Sequence, residues 1–299
     1  MLNGGCQRKV QLDLTMAILV VTFILPMLWL LLLALPCLGD SAPEVPSPVL
    51  KGKMVGIMGG EGTHQGKWPW QVSLRIYNYR WAFWEHICGG SIIHPQWVLT
   101  AANCIFRKDA DPSAYRIQVG EVYLYTGGKL LGIHHIFRHP NATIPHFGSD
   151  VALLMLTTPM ALNDYVRPVS LPQHSDNFTS SDECWLTGWG NYYTAVPLQA
   201  PYQLQKVRIP LQDERSCDEA YRKDPNFRDK SKAILKDMLC AGSEGRGPCL
   251  GDSGDPLVCW KSERWVQVGV VSWGTECSLK LPAVFVRVQS HLDWIYEYV

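Results

Sequence analysis

The sequence has no surplus charge of either sign: 27 basic and 27 acidic side chains cancel, and charged residues are only 18 % of the 299. That balance excludes an electrostatic nucleic-acid binder and gives no reason for attraction to an anionic membrane surface. Cysteines at C-x-x-C spacing are absent, which removes the usual signature of a structural metal site, and no cofactor motif takes its place. There is no tandem repeat of fixed period and no low-complexity tract beyond one short linker, so a repeat architecture is excluded. What is present is apolar: 47 % of residues are hydrophobic, enough for one domain of roughly 240 residues behind an N-terminal extension.

Met16 to Leu35 is a twenty-residue run broken only by Thr22 and Pro26, long enough to cross a hydrocarbon core as a helix. Its length favours an uncleaved signal anchor, whereas Gly39 before Asp40 suits the end of a cleavable signal peptide. Arg8 and Lys9 ahead of it would leave the N-terminus of an anchored chain in the cytosol, a bias that Lys51 and Lys53 weaken. The protein is therefore expected to be secreted, or to be a single-pass type II membrane protein anchored through residues 16–35. Asp40 to Pro48 carries three prolines and reads as an extended linker. The expected organisation is 1–39 targeting segment, 40–56 linker or propeptide, and 57–299 folded domain.

Ten cysteines suit an oxidising route. Cys6 and Cys37 fall in the targeting segment, leaving eight in the body, an even number whose pairing the sequence alone does not choose. Asn141-Ala142-Thr143 and Asn177-Phe178-Thr179 are sequons, placing Asn141 and Asn177 as candidate glycosylation sites on surface loops.

From Trp70 onward the apolar residues come in short runs, among them Gln71–Leu74, Tyr115–Val119 and Val266–Val271. Several alternate with polar residues, and Gly, Pro, Asn or Asp punctuate them, the pattern of an all-β barrel or sandwich. Only the C-terminus reads clearly as helix, with Ser290 as its cap, Asp293 three residues on, and Trp294, Ile295 and Tyr298 following.

Four ordered segments carry a family resemblance: Ile57-Met58-Gly59-Gly60, Leu99-Thr100-Ala101-Ala102-Asn103-Cys104, Asp150-Val151-Ala152-Leu153-Leu154 and Gly251-Asp252-Ser253-Gly254-Asp255-Pro256. Together with Cys184–Gly190 and Val271–Gly274 they resemble the trypsin-like (S1) serine proteases, nearest the tryptase and mastin branch. The resemblance implies two six-stranded antiparallel β-barrels divided near residue 175, with the site in the cleft between them and a short C-terminal helix. It also implies disulfides Cys88 with Cys104, Cys184 with Cys259, Cys217 with Cys240, and Cys249 with Cys277.

In that family a serine attacks, a histidine takes its proton and an aspartate orients the histidine. Ser253 and Asp150 match the first and last of these roles, but Asn103 stands where the motif has histidine. An amide does not titrate near neutrality, so the general base is missing and the triad is degenerate. None of His86, His94, His134, His135, His139 and His146 has a sequence reason to point at Ser253. The four-residue spacing of His135 and His139 does not place a metal pair on one face in a β-segment.

Four further positions depart from the pattern. Gly247, followed by Pro248, occupies the pocket base that in trypsins is aspartate, and Ala283 after Pro282 adds a methyl to the wall; with Ser272 and Gly274 these form the expected substrate pocket, without basic specificity. The oxyanion hole would be the N–H groups of Gly251 and Ser253, but Asp255 replaces a loop glycine, which costs energy if its φ is positive and sets a second carboxylate near Asp252. Ile57 and Asp252 could form the family's activation pair, yet Gly56 stands where cleavage after Arg or Lys would occur.

The sequence therefore predicts a non-catalytic homologue that binds a protein partner or protease inhibitor, in competition with an active relative. A weak or atypical serine endopeptidase and a cell-surface scaffold are the alternatives. Ser253 and Asp150 are also compatible with simple tolerance by the fold. The aromatic cluster Tyr77, Tyr79, Trp81, Phe83 and Trp84 is either a partner-binding surface or a loop packed on itself.

Overall fold

The computed structural model describes residues 57–106, 111–191, 197–225, 227, 232–274, 277 and 280–299. The apolar run 16–35, the linker and the segment preceding Ile57 lie outside the described residues.

A two-residue strand β1 (Glu61–Gly62) precedes six strands that close on themselves: β2 (Gln71–Asn78), β3 (Phe83–His94), β4 (Trp97–Thr100), β5 (Tyr115–Val119), β6 (Leu130–Arg138) and β7 (Ala152–Leu156). The closed order is β2-β3-β4-β7-β6-β5, every ladder antiparallel. Burial on both faces shapes β2 and β4, while β5 shows partial alternation. Along β5, Tyr115 and Ile117 are fully buried while Arg116 between them reaches the surface over the Trp84 ring. Val72, Leu74, Ile92, Leu99 and Leu153 fill the barrel with no exposed surface, each contributing about 1.5–3 kcal/mol by leaving water.

The remaining strands are β8 (Glu183–Gly188), β9 (Gln205–Arg208), β10 (Leu211–Gln212), β11 (Met238–Ala241), β12 (Pro256–Lys261), β13 (Arg264–Trp273) and β14 (Ala283–Arg287). They take the order β1-β9-β8-β12-β13-β14-β11-β10. The fold is mostly β, as the sequence indicates, with the division between halves falling between β7 and β8. The second half differs in detail from a six-stranded closed barrel: it is an eight-stranded sheet curled into a half-barrel, because β1 and the short β10 occupy its two edges.

Two helical features were not anticipated. An α-helix, α1 (Glu214–Lys223), follows β10, capped by Asp213 accepting from the Ser216 N–H at 2.9 Å and burying Cys217, Asp218 and Tyr221 on one face. At the C-terminus the chain enters α2 (Leu292–Tyr296) through a tight 3-10 turn over Val288–His291. Ser290 is exposed within that turn and does not cap α2; His291 is at the cap position and makes no side-chain capping bond. Burial of Val288 and His291 draws the turn inward and leaves Ser290 facing water.

Disulfides join Cys88 to Cys104, Cys184 to Cys259, Cys217 to Cys240, and Cys249 to Cys277. Cys88–Cys104 ties β3 to the turn that carries Asn103, and Cys249–Cys277 closes the loop beside Ser253. Four such bonds persist only in an oxidising environment, which suggests the secretory or extracellular compartment for this domain.

Candidate active site

Each candidate residue stands at the end of a strand. Asn103 lies in a 3-10 turn (Ala102–Cys104) just past β4, and Asp150 lies two residues before β7. Ser272 is near the end of β13, and Ser253 is in the loop entering β12. Asn103 directs its amide at the aspartate: Nδ2 donates to Asp150 Oδ2 at 2.6 Å and to the Ser272 carbonyl at 3.1 Å, and its backbone N–H donates to Asp150 Oδ1 at 2.8 Å. The Ser272 hydroxyl donates to Asp150 Oδ2 at 2.5 Å. Burial pushes the Asp150 carboxyl up from its ordinary range, against the Ser272 and Asn103 hydrogen bonds and the Arg138 charge that favour its anion. The amide thus holds the carboxylate, but it has no nitrogen that titrates near neutrality.

The loop around Ser253 bends at two glycines, Gly251 (φ +96°) and Gly254 (φ +83°). Asp255 is not in the left-handed region, so the backbone penalty considered for it does not arise. A side chain at Gly254 would instead strike the Thr100 hydroxyl and the Gly89 carbonyl at 2.3 and 2.5 Å. Gly89 N–H donates to the Ser253 carbonyl at 2.8 Å, pinning the loop to the first barrel. Among the described residues, no carbonyl engages the N–H of Gly251 or Ser253.

A cavity of about 210 Å³ opens beside Ser253, and Gly247, Ser272, Gly274, Ala283, Gly251 and Ser253 all line it. A Cβ built on Gly247 meets nothing within 4 Å, so the base is open and uncharged. The Ala283 methyl faces Gly274, 3.9 Å from where a Cβ on that glycine would stand. With Met58, Val271 and Leu281 the lining is mainly apolar, and Arg246 is the only charged side chain among the described residues that line it.

Beneath the loop, Asp252 and Asp255 are both fully buried. Asp252 accepts from the Gly190 N–H at 2.7 Å and the Cys249 N–H at 2.8 Å. Ile57 is also fully buried, packed with Leu186 and Leu257, but among the described residues its N–H is not a donor to Asp252. Sequence reasoning missed His86: its Nε2 lies 3.3 Å from the Gly251 carbonyl and its Nδ1 2.8 Å from the Ser73 hydroxyl. Burial lowers its imidazole to about 4, outweighing the Gly251 hydrogen bond; the neutral ring supports the loop from below. The i, i+13 separation of Ser73 and His86 becomes adjacency only once β2 and β3 pair.

Residues 57–295 match the family model described as Trypsin. The chain belongs to the trypsin family. It is 56 % identical to "Serine protease 28" of Mus musculus over 270 residues, 90 % of this chain and 98 % of that protein. It is 46 % identical to "Tryptase" of Mus musculus over 274 residues, covering 91 % and 98 % respectively. In this trypsin-family chain Asn103, Asp150 and Ser272 are joined by hydrogen bonds, and Ser272 lines the same cavity as Ser253.

The other candidates lie elsewhere in this trypsin-family domain. Asn141 and Asn177 are exposed, the first in a turn. His134 and His135 are exposed on β6 with rings 4.6 Å apart, and His139 packs against His291 at 5.0 Å. Among the described residues no three His, Cys, Asp or Glu side chains form a metal-binding group. In the aromatic cluster, Tyr77 contacts Tyr79 and Trp84 at 5.1 and 5.2 Å, yet Tyr79 remains 88 % and Trp81 64 % exposed.

Proposed function

We propose that this chain is a pseudoprotease, a trypsin-family protein that binds peptide segments without turning them over. Asn103 carries the reading. Its Nδ2 donor is committed to Asp150 and Ser272, and no imidazole stands in its place to relieve Ser253 of its proton, so Ser253 remains a weak nucleophile. Removal of the base in such a triad costs on the order of a million-fold in turnover. The names of the two relatives denote peptidases; the departure at Asn103 is what separates this chain from that activity.

The proposed partner is a protein, a protease inhibitor or a substrate-like segment, whose inserted side chain is neutral because the pocket base carries no charge. The exposed rings of Tyr79 and Trp81 are assigned to it as an accessory contact. In this reading residues 57–299 are the binding domain, and residues 16–35 either leave with a signal peptide or retain the protein as a type II anchor. Retention in a membrane pellet after alkaline wash would distinguish the anchor.

One observation favours a second reading, a weak serine endopeptidase: among the described residues no carbonyl engages the Gly251 and Ser253 N–H groups, leaving oxyanion donors in place. Fluorophosphonate labelling separates the two. The chain as it stands should not label at Ser253, whereas Asn103→His, with an arginine engineered at Gly56 and cleaved, should label and gain about 10³-fold or more in peptide turnover. Labelling of the unaltered chain would overturn the binding-only reading.

A further inference from the structure

The carboxyl groups of Asp252 and Asp255 lie side by side in a compartment walled by glycines. A Cβ on Gly188 would stand 2.1 Å from Asp255 Oδ2 and 2.4 Å from Asp252 Oδ1, and one on Gly89 would stand 1.7 Å from Asp255 Oδ1. Neither carboxyl has any exposure, so bulk water does not screen their repulsion.

Donors account for three of the four oxygens. Asp252 Oδ1 and Oδ2 accept from the Gly190 and Cys249 N–H groups. Asp255 Oδ1 accepts from Gln71 Nε2 at 2.5 Å, and Gln71 is itself oriented by the Thr187 hydroxyl, 2.6 Å from its Oε1. Among the described residues Asp255 Oδ2 has no donor. It faces Asp252, within hydrogen-bonding contact of that carboxylate. Two fully buried anions at such a separation are untenable, and a buried oxygen without a donor is costly. One proton on Asp255 Oδ2, donated to Asp252, removes both penalties and completes the network.

We propose that Asp255, as the neutral acid, is the positioning residue that satisfies Asp252 and so holds the Cys249–Asp255 loop ordered in the intact chain, with no need for a freed ammonium at Ile57. The position of Gly56, which offers no basic residue for trypsin-like cleavage, then ceases to matter for loop order. Burial raises both carboxyls from their ordinary range, and the charge of Asp252 raises Asp255 further, which agrees with a retained proton. The nearby titratable groups are His86 on β3, which reaches the loop through the Gly251 carbonyl, and Arg75 on β2; burial keeps His86 neutral, and the Arg75 guanidinium is directed to Ser73, the Trp84 carbonyl and Gln118, so neither supplies a counter-charge at the pair. The inference stands whether or not the chain turns over peptides.

The test uses the full chain made through a secretory pathway, intact or cleaved at an arginine placed at Gly56. Hydrogen exchange is followed at Gly190 and Cys249, whose amides donate to Asp252. The intact parent should be as protected there as its cleaved form. Asp255→Gly, intact, should lose about tenfold or more in protection at these two amides and regain it on cleavage, when the Ile57 ammonium becomes available. Asp255→Asn retains an N–H donor and should keep the intact chain protected; it should also abolish an infrared band of a protonated carboxyl seen in the parent at neutral pH. If the intact parent exchanges about tenfold faster than its cleaved form, or if no protonated carboxyl is lost in Asp255→Asn, the proposal is wrong. The infrared comparison decides the matter even if Asp255→Gly fails to fold.

Discussion

Asn103 and Asp150 are joined twice, amide Nδ2 to Oδ2 at 2.6 Å and backbone N–H to Oδ1 at 2.8 Å. The aspartate thus keeps a structural task in the absence of a histidine to orient. Asp150→Ala would leave the buried Ser272 hydroxyl and the Asn103 N–H without their acceptor, and should lower unfolding free energy by about 3 kcal/mol. Asn103→Ala removes one donor and should cost about 1 kcal/mol. Denaturant unfolding of the two variants checks the order; equal effects would show that Asp150 is not the hub.

Stability should respond to pH through two opposed groups. His86 is lowered from 6.5 to about 4 in the fold, so between those values the unfolded chain binds the extra proton and stability falls as pH drops. Asp252 and Asp255 are raised above 3.8; the folded chain retains protons that the unfolded chain releases, and stability falls as pH rises above that value. Relative to the parent, His86→Gln should therefore gain stability as pH falls from 6.5 toward 4, and Asp255→Gly should gain as pH rises from 4 toward 8. Thermal midpoints across that range provide the measurement, and parallel profiles would refute both assignments.

The open base at Gly247 makes a specificity prediction. In an Asn103→His chain cleaved before Ile57, peptides with a neutral apolar side chain before the scissile bond should be preferred to those with arginine. Adding Gly247→Asp, which introduces a carboxylate where a Cβ has nothing within 4 Å, should shift preference toward arginine by about tenfold or more. A peptide library read by mass spectrometry distinguishes this from an occluded pocket, which neither form could use.

Tyr79 and Trp81 should be dispensable for folding and important for association. Their rings are 88 % and 64 % exposed, so alanine at either should change stability by less than about 0.5 kcal/mol. Loss of either aromatic anchor should weaken capture of a protease-inhibitor panel by about tenfold or more. Unchanged binding would assign the loop to its own packing.

Much of the fold was legible because the chain writes it locally. In β5 the buried Tyr115 and Ile117 flank the half-buried Arg116, and the short apolar runs Gln71–Leu74 and Val266–Val271 fall within β2 and β13, where every one of their residues is buried. Helix α1 was not read, although Asp213 caps it and Cys217 and Tyr221 share a face, because its polar composition gives only a narrow apolar stripe. Ser290 misled for the converse reason: a local capping pattern was overridden by burial of Val288 and His291 in the preceding turn.

The sequence by itself determined which chemical groups this protein has: serine and aspartate at Ser253 and Asp150, an amide at Asn103, no side chain at Gly247, and a carboxyl at Asp255. These are matters of residue identity, legible wherever a motif is ordered along the chain. Only the tertiary structure decided what those groups touch. That Asn103 binds Asp150, that His86 reaches the Gly251 carbonyl, and that Asp255 stands against Gln71 follow from strand pairing within the barrel and from packing of the two halves, which brings together residues separated by up to 184 positions. Hydrogen bonding and desolvation act over a few ångströms of space, a distance that residue numbers do not express.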